Sequence, residues 1–154
     1  MTNNLKYIIC GKLYNGIEPE FKEGWKILVE GNKIVEVGPE VEQPESAQVI
    51  DLSDLQVTPG MIDAHMHMDY FDWHEIRDMV YTTTEEYKTL ATLHTAQKTL
   101  SRGFTTVRHL GGITSSAYGV LDVKKTIDKG LFPGSRIIAA PRLLGTIGSH
   151  DARS

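Results

Sequence analysis

Two imidazoles one residue apart, His65-Met66-His67, follow the apolar pair Met61-Ile62 and the small Ala64. Alternate side chains of an extended strand share a face, so both rings are expected on one side, a few ångströms apart. Neutral imidazole ligates zinc, nickel, iron and manganese, and two such rings on rigid backbone make half of a transition-metal site. Asp63 is expected one step further back on the same face, where it either orients an imidazole or shares in ligation. Pro59-Gly60 is a turn signal, which sets the histidine pair at the C-terminal end of a short strand. In parallel α/β folds that end is where catalytic groups gather.

The surrounding elements must hold that strand. Residues 5–57 read as β-rich. Tyr7-Ile-Ile-Cys10 is a short apolar run, and Gly31-Asn32 separates Trp25–Glu30 from Lys33–Val37 as a two-residue hairpin turn. Gln48–Asp51 begins a further strand. Beyond residue 57 the period changes. After strand 57–66 and the polar loop Asp69–Glu75, a helix is expected from about Thr84 to Arg102. Thr83-x-x-Glu86 has capping-box spacing, Gly103 stops the helix, and Tyr87, Leu90, Leu93, Ala96 and Leu100 form its apolar stripe. Phe104–His109 is the next strand. Ser115-Ser116 is placed to cap a second helix carrying Val120, Val123 and Ile127 and ending at Gly130, and Arg136–Ala140 is a third strand. Strand and helix alternating at this spacing imply parallel βαβ units.

The remaining groups read more plainly. His74 and His94 have no partner at ligand spacing, and Glu85-Glu86 is helix-start chemistry rather than an acid/base pair. Gly111-Gly112 marks a tight backbone turn without a phosphate-binding fingerprint. The formal charge of −4 gives no basic footprint, so nucleic acid is not an expected partner. The single cysteine, Cys10, excludes an internal disulfide and reads as a small strand residue. The start of the chain lacks a signal-peptide pattern and no apolar run reaches membrane-spanning length. A cytoplasmic protein without membrane association is expected.

Thr58-Pro-Gly-Met-Ile-Asp-Ala-His-Met-His67 resembles the first-strand signature of the amidohydrolase superfamily. Gly103-Phe-Thr-Thr-Val-Arg-His-Leu-Gly-Gly112 and Leu143-Leu-Gly-Thr-Ile-Gly-Ser-His150 agree with it, and together they are similar to its imidazolonepropionase-like and Xaa-Pro or Xaa-Arg dipeptidase-like branch. The resemblance implies an α/β fold: the N-terminal part of a (β/α)8 TIM-type barrel, about two and a half units in residues 58–154, after residues 1–57 of a composite β-sandwich. A whole barrel needs about 250 residues, so at 154 residues the chain is expected to be a truncated barrel with exposed sheet edges and a tendency to self-associate.

The resemblance also assigns roles. His65 and His67 would hold a divalent metal, zinc first among the choices, in a centre of one or two ions. The general-base aspartate and the other ligands come from strands outside this chain. His150 matches a histidine whose loop lines the substrate pocket in dipeptidase-like members, or is a solvated terminal residue. His109 stands where the family has aspartate after Val107-Arg108; it is either a polar contact near the site or a packed, hydrogen-bonded histidine. Arg108 is expected to pair with a carboxylate. The activity implied is hydrolysis of a C–N bond in a small-molecule amide, lactam or dipeptide by a metal-activated water. The alternative is an inactive remnant that oligomerises or needs a partner chain to complete the site.

Overall fold

The computed structural model describes residues 4–70, 82–112 and 118–141. The chain divides into two compact units, Met1–Pro59 and Gly60–Ser154.

The first unit is built on one five-stranded sheet. Strands β1 (Leu5–Leu13), β2 (Lys22–Glu23), β3 (Lys26–Glu30) and β4 (Lys33–Gly38) pair antiparallel in the order β2-β1-β3-β4, and β5 (Gln48–Val57) joins β1 in parallel. The β3–β4 turn falls at Gly31-Asn32 as expected, with Gly31 at φ 62° in the first central position, the placement a type II′ turn requires. Cys10, Leu13 and Ile27 form the buried cluster of this unit. The ring of Tyr7 is buried too, and its hydroxyl donates to the Val41 carbonyl at 2.9 Å. Edge strand β4 keeps Ile34, Val35 and Val37 exposed.

The second unit has a three-stranded parallel sheet in the order β6-β7-β8, from β6 (Met61–Met66), β7 (Phe104–His109) and β8 (Arg136–Ala139). Helix α1 (Glu85–Ser101) links β6 to β7, and α2 (Gly119–Asp128) links β7 to β8. Met68, Ala96, Val107, Val120, Val123 and Ile137 close the core between sheet and helices. Helix α2 ends as a Schellman motif: Gly130, at φ 69°, donates to the Ile127 carbonyl and Leu131 to that of Thr126.

Helix α1 corrects two expectations. Its N-cap is Thr84 rather than Thr83, the Thr84 hydroxyl accepting from the Tyr87 N–H at 3.3 Å. Of its expected apolar stripe, Ala96 is buried and Leu93 packs on the core, but Tyr87 and Leu90 are exposed, and Lys88 and Thr92 are buried in their place. The physical reason lies in the threonines. Thr92 donates to the Lys88 carbonyl at 2.9 Å, and Thr89, Thr95 and Thr99 likewise bond the carbonyl one turn back. A hydroxyl satisfied within its own helix can be buried, so hydropathy alone misplaces the packing face. The second helix's stripe falls as expected, with Val120 and Val123 buried and Ile127 packed on the core. Ser115 and Ser116 lie outside the described residues. Among those residues no helix is long and apolar enough to cross a membrane, which leaves β-barrels unaddressed.

Candidate metal centre

The end of β6 is tied to the end of β7 residue by residue. Met66 pairs with His109, and the Met66 carbonyl accepts from the Leu110 N–H at 3.1 Å. His67 Nδ1 lies 2.6 Å from the Gly111 carbonyl oxygen. The Met68 N–H donates to His109 Nδ1 at 3.1 Å. The chain then turns, Tyr70 N–H reaching the His67 carbonyl at 3.3 Å.

These contacts determine which nitrogen of His67 faces outward. A carbonyl oxygen only accepts, so Nδ1 carries a proton, and in the neutral ring Nε2 keeps the lone pair. Fixing one imidazole nitrogen on a backbone carbonyl while the other stays basic is the usual arrangement of a metal-binding histidine. The His65 ring stands beside it, centroids 5.4 Å apart and edge to face. His65 is exposed and His67 half-buried. Tyr70 stacks on His67 at 4.7 Å, covering one face of the ring. The loop after the strand reads simply as polar in the sequence, and nothing in that reading singles out Tyr70; only the turn at His67–Tyr70 folds it back.

Asp63 sits differently from the expectation. Between Asp63 and Met66 the β6–β7 register shifts: Asp63 pairs with Val107 and Met66 with His109, three steps on one strand against two on the other. The extra residue breaks the alternation that would have aligned Asp63 with the two rings. The Asp63 carboxylate instead accepts from the His65 backbone N–H at 3.0 Å. The Arg108 Nε donates to the Ala64 carbonyl at 2.7 Å, and among the described residues no carboxylate pairs with it. Together the two contacts stiffen the irregular turn of strand that carries His65.

His109 is buried, and its ring centroid lies 6.3 Å from that of His67. Burial, reinforced by the nearby His67, pulls its imidazole down to about 4. It is therefore neutral at pH 7, with Nδ1 accepting and the proton on Nε2. Around it a small polar cleft is lined by Asp69, Lys88, Thr92, Gly112 and Gly119. Lys88 is buried and paired with Glu85 at 2.7 Å. Asp69 is buried as well, and its carboxylate occupies the space a Cβ at residue 112 would need, which explains the glycine there. The sequence had marked Gly111-Gly112 only as a tight turn; the buried lysine and aspartate beside it were not foreseen. His150 and His74 lie outside the described residues, and His94 is exposed on α1.

The donor set suits a divalent transition metal. His65 and His67 are neighbouring at the end of β6, and the Gly111 contact of His67 Nδ1 leaves Nε2 as the donor nitrogen of the neutral ring. Among the described residues no third His, Cys, Asp or Glu joins them.

The comparisons agree with this architecture. The chain is similar over 96% of its length to a Xaa-Pro dipeptidase solved with bound methionine, at TM-score 0.83 and 27% identity, covering 36% of that chain. It is similar to a prolidase complexed with N-methylphosphonate-L-proline over 97% of its length, at TM-score 0.78 and 26% identity, covering 35% of that chain. Among curated proteins, 88 residues are 33% identical to the dihydroorotase of Lactobacillus johnsonii, covering 57% of this chain and 17% of that one. A shorter match of 42 residues is 48% identical to the dihydroorotase of Geobacter metallireducens, covering 27% of this chain and 10% of that one. The chain thus spans about a third of the solved relatives and a smaller part of the curated ones. The model of the Amidohydrolase family matches residues 56–149, more than half of the sequence and inclusive of the His65-Met-His67 strand. On that match the chain belongs to the amidohydrolase family.

Proposed function

We propose that this chain supplies the His65 and His67 ligands of a metal-dependent amidohydrolase centre that hydrolyses a C–N bond in a small-molecule substrate. The observation that carries the reading is the His67 Nδ1–H to Gly111 carbonyl contact beside His65, which leaves Nε2 directed away from the backbone as a donor. A dipeptide or related amide is favoured over a lactam. The dipeptidase and prolidase likenesses run over nearly the whole chain, whereas the dihydroorotase matches cover between about a quarter and three fifths of it. A divalent ion, zinc first among the candidates, supplies Lewis acidity when bound: it polarises a carbonyl and lowers the pKa of water.

The chain's own residues prepare that chemistry. Gly111 holds the His67 proton on Nδ1, Tyr70 covers one face of the ring, and Asp63 and Arg108 brace the strand under His65. His109, neutral beside His67, adds no positive charge that would repel a cation. Residues 1–57 are read as the N-terminal part of a composite β-sandwich and residues 58–154 as the N-terminal portion of a barrel, with the work done in the cytoplasm.

Zinc content of the purified chain after dialysis tests the reading. Stoichiometric zinc is expected, falling at least about 100-fold in affinity in His65→Ala/His67→Ala, because two ligands are lost together. Full retention of zinc by the double variant would refute it. Where zinc is held, release of proline from Xaa-Pro dipeptides is the first activity to assay.

A second reading rests on the ligand count. Two imidazoles fall short of the three or four protein ligands of a zinc site, so the others come from outside the described residues, from within this chain or from another. If a second copy provides them, the sedimentation coefficient will rise when zinc is added and will not rise in the double variant. A monomer under both conditions excludes that form of the site.

A further inference from the structure

We infer that His109 is a positioning residue for His67, acting through the Met68 backbone to hold His67 in the tautomer whose Nε2 is free. The inference rests on the reading of His67 as a metal ligand, but its geometry stands by itself. Three consecutive residues of one strand end are each tied to the end of the other: Met66 to Leu110, His67 to Gly111 and Met68 to His109. The outer two ties fix the backbone on both sides of His67. The middle tie sets its ring.

Each tie has a physical requirement. The Leu110 N–H to Met66 carbonyl bond continues the parallel ladder. The Gly111 carbonyl can face His67 because Gly111 adopts φ 96°, a left-handed conformation that other residues rarely hold. Beyond Met66 the ladder ends, and the Met68 N–H would lie buried without an acceptor. Met68 is fully buried, so an unmet N–H there is costly. His109 Nδ1 meets it from the side chain, at 3.1 Å.

The same residue is also locked through its main chain, pairing with Met66 and Ala139 and accepting from the Ala140 N–H at 2.9 Å. A buried side chain on a strand paired on both sides is a stiff support for the neighbouring ring. An acceptor is required at this position, and the buried imidazole supplies it. A shorter side chain with an acceptor oxygen, such as asparagine, would keep the bond; leucine would keep the volume and lose the acceptor.

The experiment compares the metal-free wild-type chain with His109→Asn and His109→Leu, using long-range proton–nitrogen NMR of the His67 ring and zinc titration. In wild type the spectrum is expected to show His67 protonated at Nδ1 with Nε2 bare. His109→Asn is expected to retain that pattern. His109→Leu is expected to give a mixture of tautomers and to bind zinc about tenfold more weakly. A His109→Leu chain with both the wild-type tautomer and the wild-type zinc affinity overturns the inference, as does a wild-type spectrum with the proton on Nε2. Should His109→Leu fail to fold, His109→Phe takes its place, keeping an aromatic ring without the acceptor for the Met68 N–H: the wild-type tautomer and zinc affinity in that variant overturn the inference, and a mixture of tautomers supports it. The metal reading is separated from this one by zinc itself. A wild-type chain with the expected tautomer, disturbed in His109→Leu, that binds no zinc would support the positioning role and defeat a metal site formed by this chain alone.

Discussion

The two units solve the problem of burial differently. In the first, the buried cluster of Cys10, Leu13 and Ile27 is apolar, and no charged side chain among the described residues is buried. In the second, Asp69, Lys88, Thr92, His109 and Ser135 are buried together with the aliphatic core. Each of those polar groups must be met by a particular partner, since an unmet buried group costs more than the same volume of hydrocarbon. Ser135 shows the pattern: its hydroxyl reaches the Phe104 carbonyl at 2.6 Å and that of Ala96 at 3.3 Å, linking β8 to β7 and α1. The first unit therefore depends mainly on shape, with the buried Tyr7 hydroxyl on the Val41 carbonyl as its specific polar contact, and the second on shape and several such partners. The groups around His67 belong to the second kind, which is how a site gains fixed ring orientations.

The comparison is most severely tested where shape has no freedom. A Cβ at Gly11 would overlap the Ser53 carbonyl oxygen, backbone against backbone, where β1 and β5 pair around the irregularity at Cys10 and Lys12. Gly11→Ala is expected to destabilise the first unit by about 3 kcal/mol or more. Hydrogen exchange resolved by peptide should show the loss in residues 5–57; unchanged protection there would mean the sheet can spread, and that its shape is less demanding than argued. In the second unit Val107 is fully buried. Val107→Ala should cost about 2 kcal/mol in urea denaturation, from the lost methyl groups and the cavity they leave. A cost below about 0.5 kcal/mol would point to a core that collapses around the gap, contrary to one held by specific partners.

Two smaller effects sharpen the contrast. Thr84→Ala removes the α1 cap and should cost about 1 kcal/mol, whereas Thr83→Ala should change little if Thr84 is the cap. Equal losses from both variants would restore the capping box expected from the sequence. Burial raises the Cys10 thiol above its ordinary value. The unfolded thiol then ionises first as pH rises, so stability should decline gently above about pH 8.5, the usual thiol range. Iodoacetamide should label Cys10 much more slowly in the native chain than in urea at pH 8. Equal rates would show that the apolar core of the first unit opens readily.

Much of this was legible beforehand because it is local. The β3–β4 turn is announced by Gly31-Asn32, since glycine tolerates the φ the turn needs. The Val120, Val123 and Ile127 stripe on α2 follows from period alone, and Phe104–His109 reads as a strand from its β-branched residues and forms one with those bounds. The His65 and His67 pair was legible for the same reason, spacing on an extended backbone. The burial of Lys88 and the exposure of Tyr87 were not legible. They depend on what packs beside the helix and on threonine hydroxyls that satisfy themselves.

By itself, then, the sequence determined the order of strands and helices, the hairpin, the histidine pair and the family signature, all of which are set by neighbours a few residues apart. Tertiary structure decided which nitrogen of His67 is free, where the Asp63 carboxylate points and what His109 does. The first depends on a carbonyl 44 residues away, the third on an N–H 41 residues away, and the second on a register shift between two strands separated by a helix. A hydrogen bond across that separation exists only after the parallel sheet has formed, because the acceptor's direction is a property of the paired strands and not of either alone.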